Sequence, residues 1–189
     1  MTLQEEMSTS GRLATFFVGD LFFGIDVLRV QEVLLYQQMT RVPGAPDVIA
    51  GLINLRGQIV TAIDMRRRLG MPSRADGAKP LSMVIRTLDG AVSLLVDEVG
   101  DVLDVDERSF EKPPENLVAE ARELIRCVCK LDERLMLVLD TEKTVETAIA
   151  TAGMKSESWR SLDSREFALD GNMGKERFNR EEGCNAKGI

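Results

Sequence analysis

Histidine is absent from this chain of 189 residues. Without imidazole there is no Ser-His-Asp or Cys-His arrangement, no histidine general base and no histidine-ligated metal. Cysteine is scarce, at three residues. That odd, sparse count argues against a disulfide framework and fits a reducing cytoplasm. No apolar run approaches the roughly 18 to 20 residues a membrane helix needs. Met1 to Gly11 are polar and acidic, without the apolar centre of a secretory leader. Neither GK[ST] nor GxGxxG occurs, so the familiar phosphate-binding loops are missing. Basic charge is in deficit: 24 Lys and Arg stand against 31 Asp and Glu, a formal net charge of −7. A phosphate backbone is disfavoured as a partner, which leaves no nucleic-acid function to expect.

Hydrophobic residues make up 44% of the chain, enough for a substantial core, and they come in short runs broken by turn residues. Period-2 alternation dominates. Four hairpins are predicted: Leu13–Val18 with Leu21–Ile25 around Gly19-Asp20, and Ala50–Leu55 with Gln58–Ile63 around Arg56-Gly57. The other two are Leu81–Thr87 with Ala91–Val96 around Asp89-Gly90, and 125–131 with 134–139 around Asp132-Glu133. Helices are few. Asp64 caps Met65–Leu69 with Gly70 as the stop, Met65 and Leu69 packing inward while Arg66, Arg67 and Arg68 fan outward. A second helix starts at Asp140 or Thr141, with Val145, Ala148 and Ile149 on one face. The expected fold is all-β with a few short helices, about ten strands arranged as two small five-stranded barrels. Composition changes near residue 150. Of the 39 residues from Thr151 to Ile189 only Leu162, Phe167, Leu169, Phe178 and Ile189 belong to the Leu/Ile/Val/Phe set. That is about 13%, below the rough 20% expected of a segment that folds alone. The division is therefore a folded 12–150 and a flexible, disordered tail over 151–189, with the single Trp159 in the tail.

Candidate chemistry is thin. Cys127 and Cys129 share a strand face with Ile125 and Leu131, which reads as core, since free cysteine packs as a small hydrophobe. Arg66-Arg67-Arg68 lacks interleaved aromatics and reads as a solvated face or part of a protein interface. In the acidic stretch Asp97 to Glu107, valines interrupt the carboxylates, so a strand with acid edges is expected and no Ca²⁺ loop. No metal and no cofactor are expected. Asp64 and Asp97 are the carboxylates left for a small hydrolase, the alternative from another functional class. Arg56 is placed at a hairpin corner beside Gly57, where it can pair with a carboxylate of the same protein or of a partner. Glu32 is a candidate mate.

Three stretches carry a family resemblance. Gly24 to Val33 (GIDVLRVQEV) is followed by Arg41-Val42-Pro43, Gly51 to Val60 (GLINLRGQIV) and Ile63 to Arg66. Leu95 to Val102 (LVDEVGDV) completes the set. In this order and spacing they resemble the chemotaxis coupling (CheW) family from about residue 13 to 148. The resemblance implies two intertwined five-stranded SH3-like barrels in a non-catalytic adaptor. It would couple chemoreceptors, the methyl-accepting chemotaxis proteins, to the histidine kinase CheA and help assemble signalling arrays. Its partners would be the receptor's cytoplasmic hairpin tip and the regulatory domain of CheA, with no small-molecule substrate and no direct membrane insertion. It would work in the cytoplasm, at arrays on the inner face of the membrane. Carried over by position, Val30, Leu81, Val99 and Val102 line the receptor-facing groove, and Glu32 and Arg56 form the polar coupling pair. A CheW-like scaffold of another chemosensory pathway, serving motility, biofilm or development, stays open beside it.

Overall fold

A computed structural model of the chain describes residues 11–151 other than 116, 118, 132 and 133. The Asp132-Glu133 connection and the tail from residue 152, with Trp159 and Cys184, lie outside the described residues, as does the side chain of Ile149. Eleven strands alternate with short helical pieces. They are β1 Arg12–Val18, β2 Leu21–Asp26, β3 Val30–Leu34, β4 Ile49–Leu55, β5 Gln58–Asp64, β6 Leu81–Thr87, β7 Gly90–Val96, β8 Glu98–Asp104, β9 Phe110–Glu111, β10 Ile125–Lys130 and β11 Leu135–Leu139. The α-helices are α1 Met65–Arg68, α2 Ala119–Arg122 and α3 Thr141–Thr151. Among the described residues no helix is long and apolar enough to cross a membrane.

The strands form two sheets, one of six in the order β8-β1-β2-β11-β10-β9 and one of five in the order β3-β6-β7-β5-β4. All four predicted hairpins are present as β1–β2, β4–β5, β6–β7 and β10–β11. The first two strands and the last four share the first sheet, and β3 to β7 build the second. The backbone therefore changes sheet twice, at the 3₁₀ turn Val27–Arg29 and at Asp97, between β7 and β8. The two-residue strand β9 makes the first sheet six-stranded where five were expected.

The main core lies where the two sheets meet. Phe16, Phe23, Ile25, Leu137 and Leu139 come from the first sheet, and Ile63, Met83, Ile85, Leu94 and Val96 from the second. Phe16 and Phe23 stack with ring centroids 5.3 Å apart. Met65 enters this core from α1 and Leu69 from the residue that caps its end, and Val145 and Ala148 enter from α3, as their spacing predicts. Each sheet also buries its other face. Leu13, Phe22, Cys127, Cys129, Met136 and Val138 fill that of the first. In the second, the register places Ile53, Val60, Ala62, Ser93, Val84, Leu95 and Ser82 on one face, all buried.

Two expectations need correction. Ile125 does not share a face with Cys127 and Cys129. Ile125 pairs with Leu139 and Cys127 with Val138, so Arg126 is an extra residue, a β-bulge. A bulge breaks the two-residue period, and it sends Ile125 to the main core while the cysteines face the opposite side. Nor do the three arginines form one solvated face. Arg66 binds Asp97 at 2.8 Å, and Arg68 donates to Thr147 Oγ1 of α3 at 2.6 Å. Arg67, 3.4 Å from Asp47, is the exposed member of the three. A four-residue helix wedged between sheet and helix has too little free circumference for three outward side chains.

Candidate functional site

The β4–β5 corner is a two-residue turn, with Leu55 opposite Gln58. Arg56 and Gly57 have φ of 53° and 89°, the sign pattern of a type I′ turn, which matches the twist of the flanking strands. Asn54 Oδ1 accepts from the Gly57 amide at 2.9 Å and braces the turn. Arg56 is the sole non-glycine with positive φ among the described residues. An L-residue in this left-handed region costs about 1–2 kcal/mol relative to its ordinary conformation. Glycine would remove that cost, yet arginine occupies the corner.

Glu32 projects from β3. Its cross-strand partner is Val84, so it stands on the face of the second sheet that carries Val60 and Val84, opposite the one turned to the main core. Arg56 Nη2 donates to Glu32 Oε2 at 2.9 Å. Strands β3 and β4 are the two edges of this sheet, and the ion pair ties one edge to the hairpin that carries the other. The arginine side chain stays 83% exposed while the glutamate side chain is 25% exposed. The arginine therefore offers most of its surface outward from a braced position. Around the pair opens a cleft of about 290 Å³, in which Gln31, Glu32, Arg56 and Gln58 surround the apolar Val60 and Val84. The sequence suggested Glu32 as a mate for Arg56, and the fold brings them together.

The four apolar positions divide between the sheets. Val30 pairs with Ile85 and Leu81 with Val96, and both face the main core from the second sheet. Val99 pairs with Phe16 and Val102 with Ala14, in the first. Phe16 and Ala14 are two residues apart and share a face, so Val99 and Val102 share it as well. They do so because Gly100 and Asp101 together oppose Thr15, a bulge in β8. Thr15 Oγ1 donates to the Asp101 carbonyl at 2.7 Å, and a Cβ on Gly100 would fall 2.5 Å from that hydroxyl. Val30, Leu81 and Val99 are half-buried against the core, and Val102 is 44% exposed. A matching bulge at Gln31 puts Val33, 42% exposed, on the face of Val30. Glycine inside a strand pattern is the sequence signal for such a bulge, and Gly100 carried it.

The carboxylates of the enzymatic alternative are not free to act as a pair. Arg74 Nη1 donates to Asp64 Oδ2 at 2.8 Å, and its Nε lies 2.8 Å from Asp97 Oδ1, off the hydrogen-bond axis. Asp64 Oδ1 caps α1 by accepting from the Arg66 amide at 3.0 Å. Asp97 Oδ2 accepts from the Gly19 amide at 2.6 Å and from Arg66 Nε at 2.8 Å. Burial pushes the Asp97 carboxyl up, but the Gly19 amide and the two guanidiniums outweigh it, and the group lies below its ordinary value. A general acid needs the opposite shift. Arg74 is the residue the sequence reading missed; it sits in an irregular segment with no periodic pattern around it. Burial lifts the Cys127 thiol to about 11 and raises Cys129 as well, which leaves neither primed as nucleophile or ligand. Among the described residues no three or more His, Cys, Asp or Glu gather where a metal ion would be held.

Comparison with known proteins gives a consistent result. The model of the CheW-like domain matches residues 12–148. Chemotaxis protein CheW of Bacillus subtilis is 31% identical over 141 residues, covering 75% of this chain and 90% of the relative. That of Klebsiella aerogenes is 34% identical over 132 residues, 70% and 80% of the two chains. The crystal structure of the scaffolding protein TtCheW from Thermoanaerobacter tengcongensis superposes with a TM-score of 0.65 at 27% identity, covering 71% of this chain and 92% of that one.

Proposed function

The chain belongs to the CheW-like domain family, and on that premise we propose that it is a non-catalytic chemotaxis adaptor bridging chemoreceptors and the regulatory domain of the kinase CheA. The observation that carries this reading is the family match over nearly the whole described region, 12–148, in a chain whose candidate acid–base pair is bound by arginines. The receptor's cytoplasmic hairpin tip, a helical element, docks on the apolar positions Val30, Leu81, Val99 and Val102. A helix in a groove needs apolar anchors and a few flanking charges. Glu32 and Arg56 supply the charges from the opposite face of the β3 edge that carries Val30, and Arg56 transmits receptor state to the kinase. Strain supports this role: a residue kept in a costly conformation where glycine would fit is a mark of function. The protein assembles with its partners at arrays on the inner face of the membrane.

Two measurements test the proposal. The purified chain binds a cognate receptor cytoplasmic fragment and the CheA regulatory domain with dissociation constants of tens of micromolar or tighter, about 6 to 7 kcal/mol or more. Failure to bind either one at that level would sink the adaptor reading. A fluorescent fusion gathers into membrane-associated clusters in cells with receptors and disperses in cells without them.

A further inference from the structure

We propose that Arg74 is a positioning residue for the receptor-binding face, holding β8 and the start of β6 in mutual register through Asp97; this rests on the receptor-binding role proposed above. The four apolar positions come from separate sheets, Val30 and Leu81 from one and Val99 and Val102 from the other. Among the described residues no strand ladder joins the two sheets, so hydrogen-bond register alone cannot fix one apolar pair against the other. The chain passes between the sheets at Asp97. Val96, the cross-strand partner of Leu81, precedes it, and Val99 follows two residues later.

Asp97 is pinned on every side. Its amide donates to the Phe17 carbonyl at 3.0 Å, and its carboxylate takes the Gly19 amide, both from the β1–β2 hairpin of the first sheet. Arg74 supplies the opposite anchor. Besides facing Asp97, it donates to Asp64 at the end of β5 and, through Nη2, to the Leu95 carbonyl of β7 at 3.0 Å. One guanidinium thus spans two strands of the second sheet and the residue just before β8. Its side chain is only 11% exposed, so the contacts are not the weak, screened pairs of an open surface. The planar fork suits this task, because its donors sit on three nitrogens and reach separated acceptors at fixed angles, whereas the three donors of a lysine ammonium radiate from a single nitrogen. Leu95 is the cross-strand partner of Ser82, so through its carbonyl Arg74 also braces the strand on which the start of β6 is paired.

The experiment compares wild type with Arg74→Lys, which keeps the charge and loses the fork. Binding of a cognate chemoreceptor cytoplasmic fragment is measured by calorimetry at a temperature where more than 99% of each protein is folded. Pure loss of stability leaves affinity unchanged there, because apparent affinity scales with the competent fraction. Affinity falls at least threefold, and amide exchange at residues 99–102 accelerates about tenfold while exchange in β10 and β11 stays put. A folded variant that binds within threefold of wild type, or whose β8 exchange is unchanged, overturns the inference. If Arg74→Lys does not fold, Asp97→Asn takes its place under the same thresholds, since it keeps an acceptor for Gly19 and drops the charge. Wild-type protein that does not bind the receptor fragment counts against the proposed function alone, and the exchange measurement then decides the role of Arg74.

Discussion

Replacing Arg56 by alanine and by glycine separates its structural from its functional weight. The ion pair with Glu32 is largely exposed on the arginine side, and such pairs contribute about 0.2–1 kcal/mol. Alanine is as strained as arginine at a φ of 53°, so Arg56→Ala loses the pair and nothing else. For a folded region of this size that is a fall in thermal midpoint of less than about 5 °C. Arg56→Gly loses the same pair but relieves the left-handed strain, a gain on the order of 1 kcal/mol over alanine. The stability order is therefore glycine above alanine, with glycine near wild type. Thermal unfolding followed by circular dichroism reads this order, and receptor-dependent activation of CheA in a reconstituted mixture reads function. Both variants lose most of the activation although their stabilities differ. A fall of more than about 10 °C for Arg56→Ala would show that the corner is structural and refute this reasoning. So would a glycine variant less stable than the alanine one, and full activation by Arg56→Gly would remove the guanidinium from the coupling role.

Asp97 gives a pH dependence. Its carboxyl is held below the ordinary 3.8, so the native state gives up this proton more readily than the unfolded chain does. The stabilisation is complete above about pH 4 and fades as pH drops through the depressed native value. Urea unfolding of Asp97→Asn at several pH values shows a clear deficit at pH 7 that narrows below pH 4; a deficit constant across that range would contradict the assignment. Cys127, with its thiol near 11, and Cys129 are buried. At pH 8 at most one of the three thiols reacts quickly with a disulfide reagent, and all three react once the protein is unfolded. Gly100→Ala drives a Cβ against Thr15 Oγ1 and destabilises by about 1–3 kcal/mol. Adding Thr15→Ala returns the space, so the double variant costs less than the sum of the two single ones, a coupling that a double-mutant cycle measures.

Alternation along the chain was enough to place every hairpin, because each is local, and in three of the four the turn carries a glycine. It failed wherever a strand holds one residue too many. By strict period two, Val99 and Val102, three apart, belong on opposite faces, and Ile125 belongs with Cys127. The bulges at Gly100-Asp101 and Arg126 reverse both assignments. Resemblance to the family put Val99 and Val102 on one surface before any register was known, and the bulge supplies the physical reason. The missing arginine has a different origin. Arg74 meets Asp97 and Asp64 through contacts 23 and 10 residues away in sequence, from a segment with no period of its own, so its partners are set by tertiary placement alone. Glu32 and Arg56 stand between these cases. The turn chemistry identified an arginine at a corner, but the closure of the second sheet, which brings its β3 edge to the β4–β5 hairpin, chose the mate. Sites assembled across edges and crossings thus escape local patterns, and in this chain they are the places where the candidate functional residues collect.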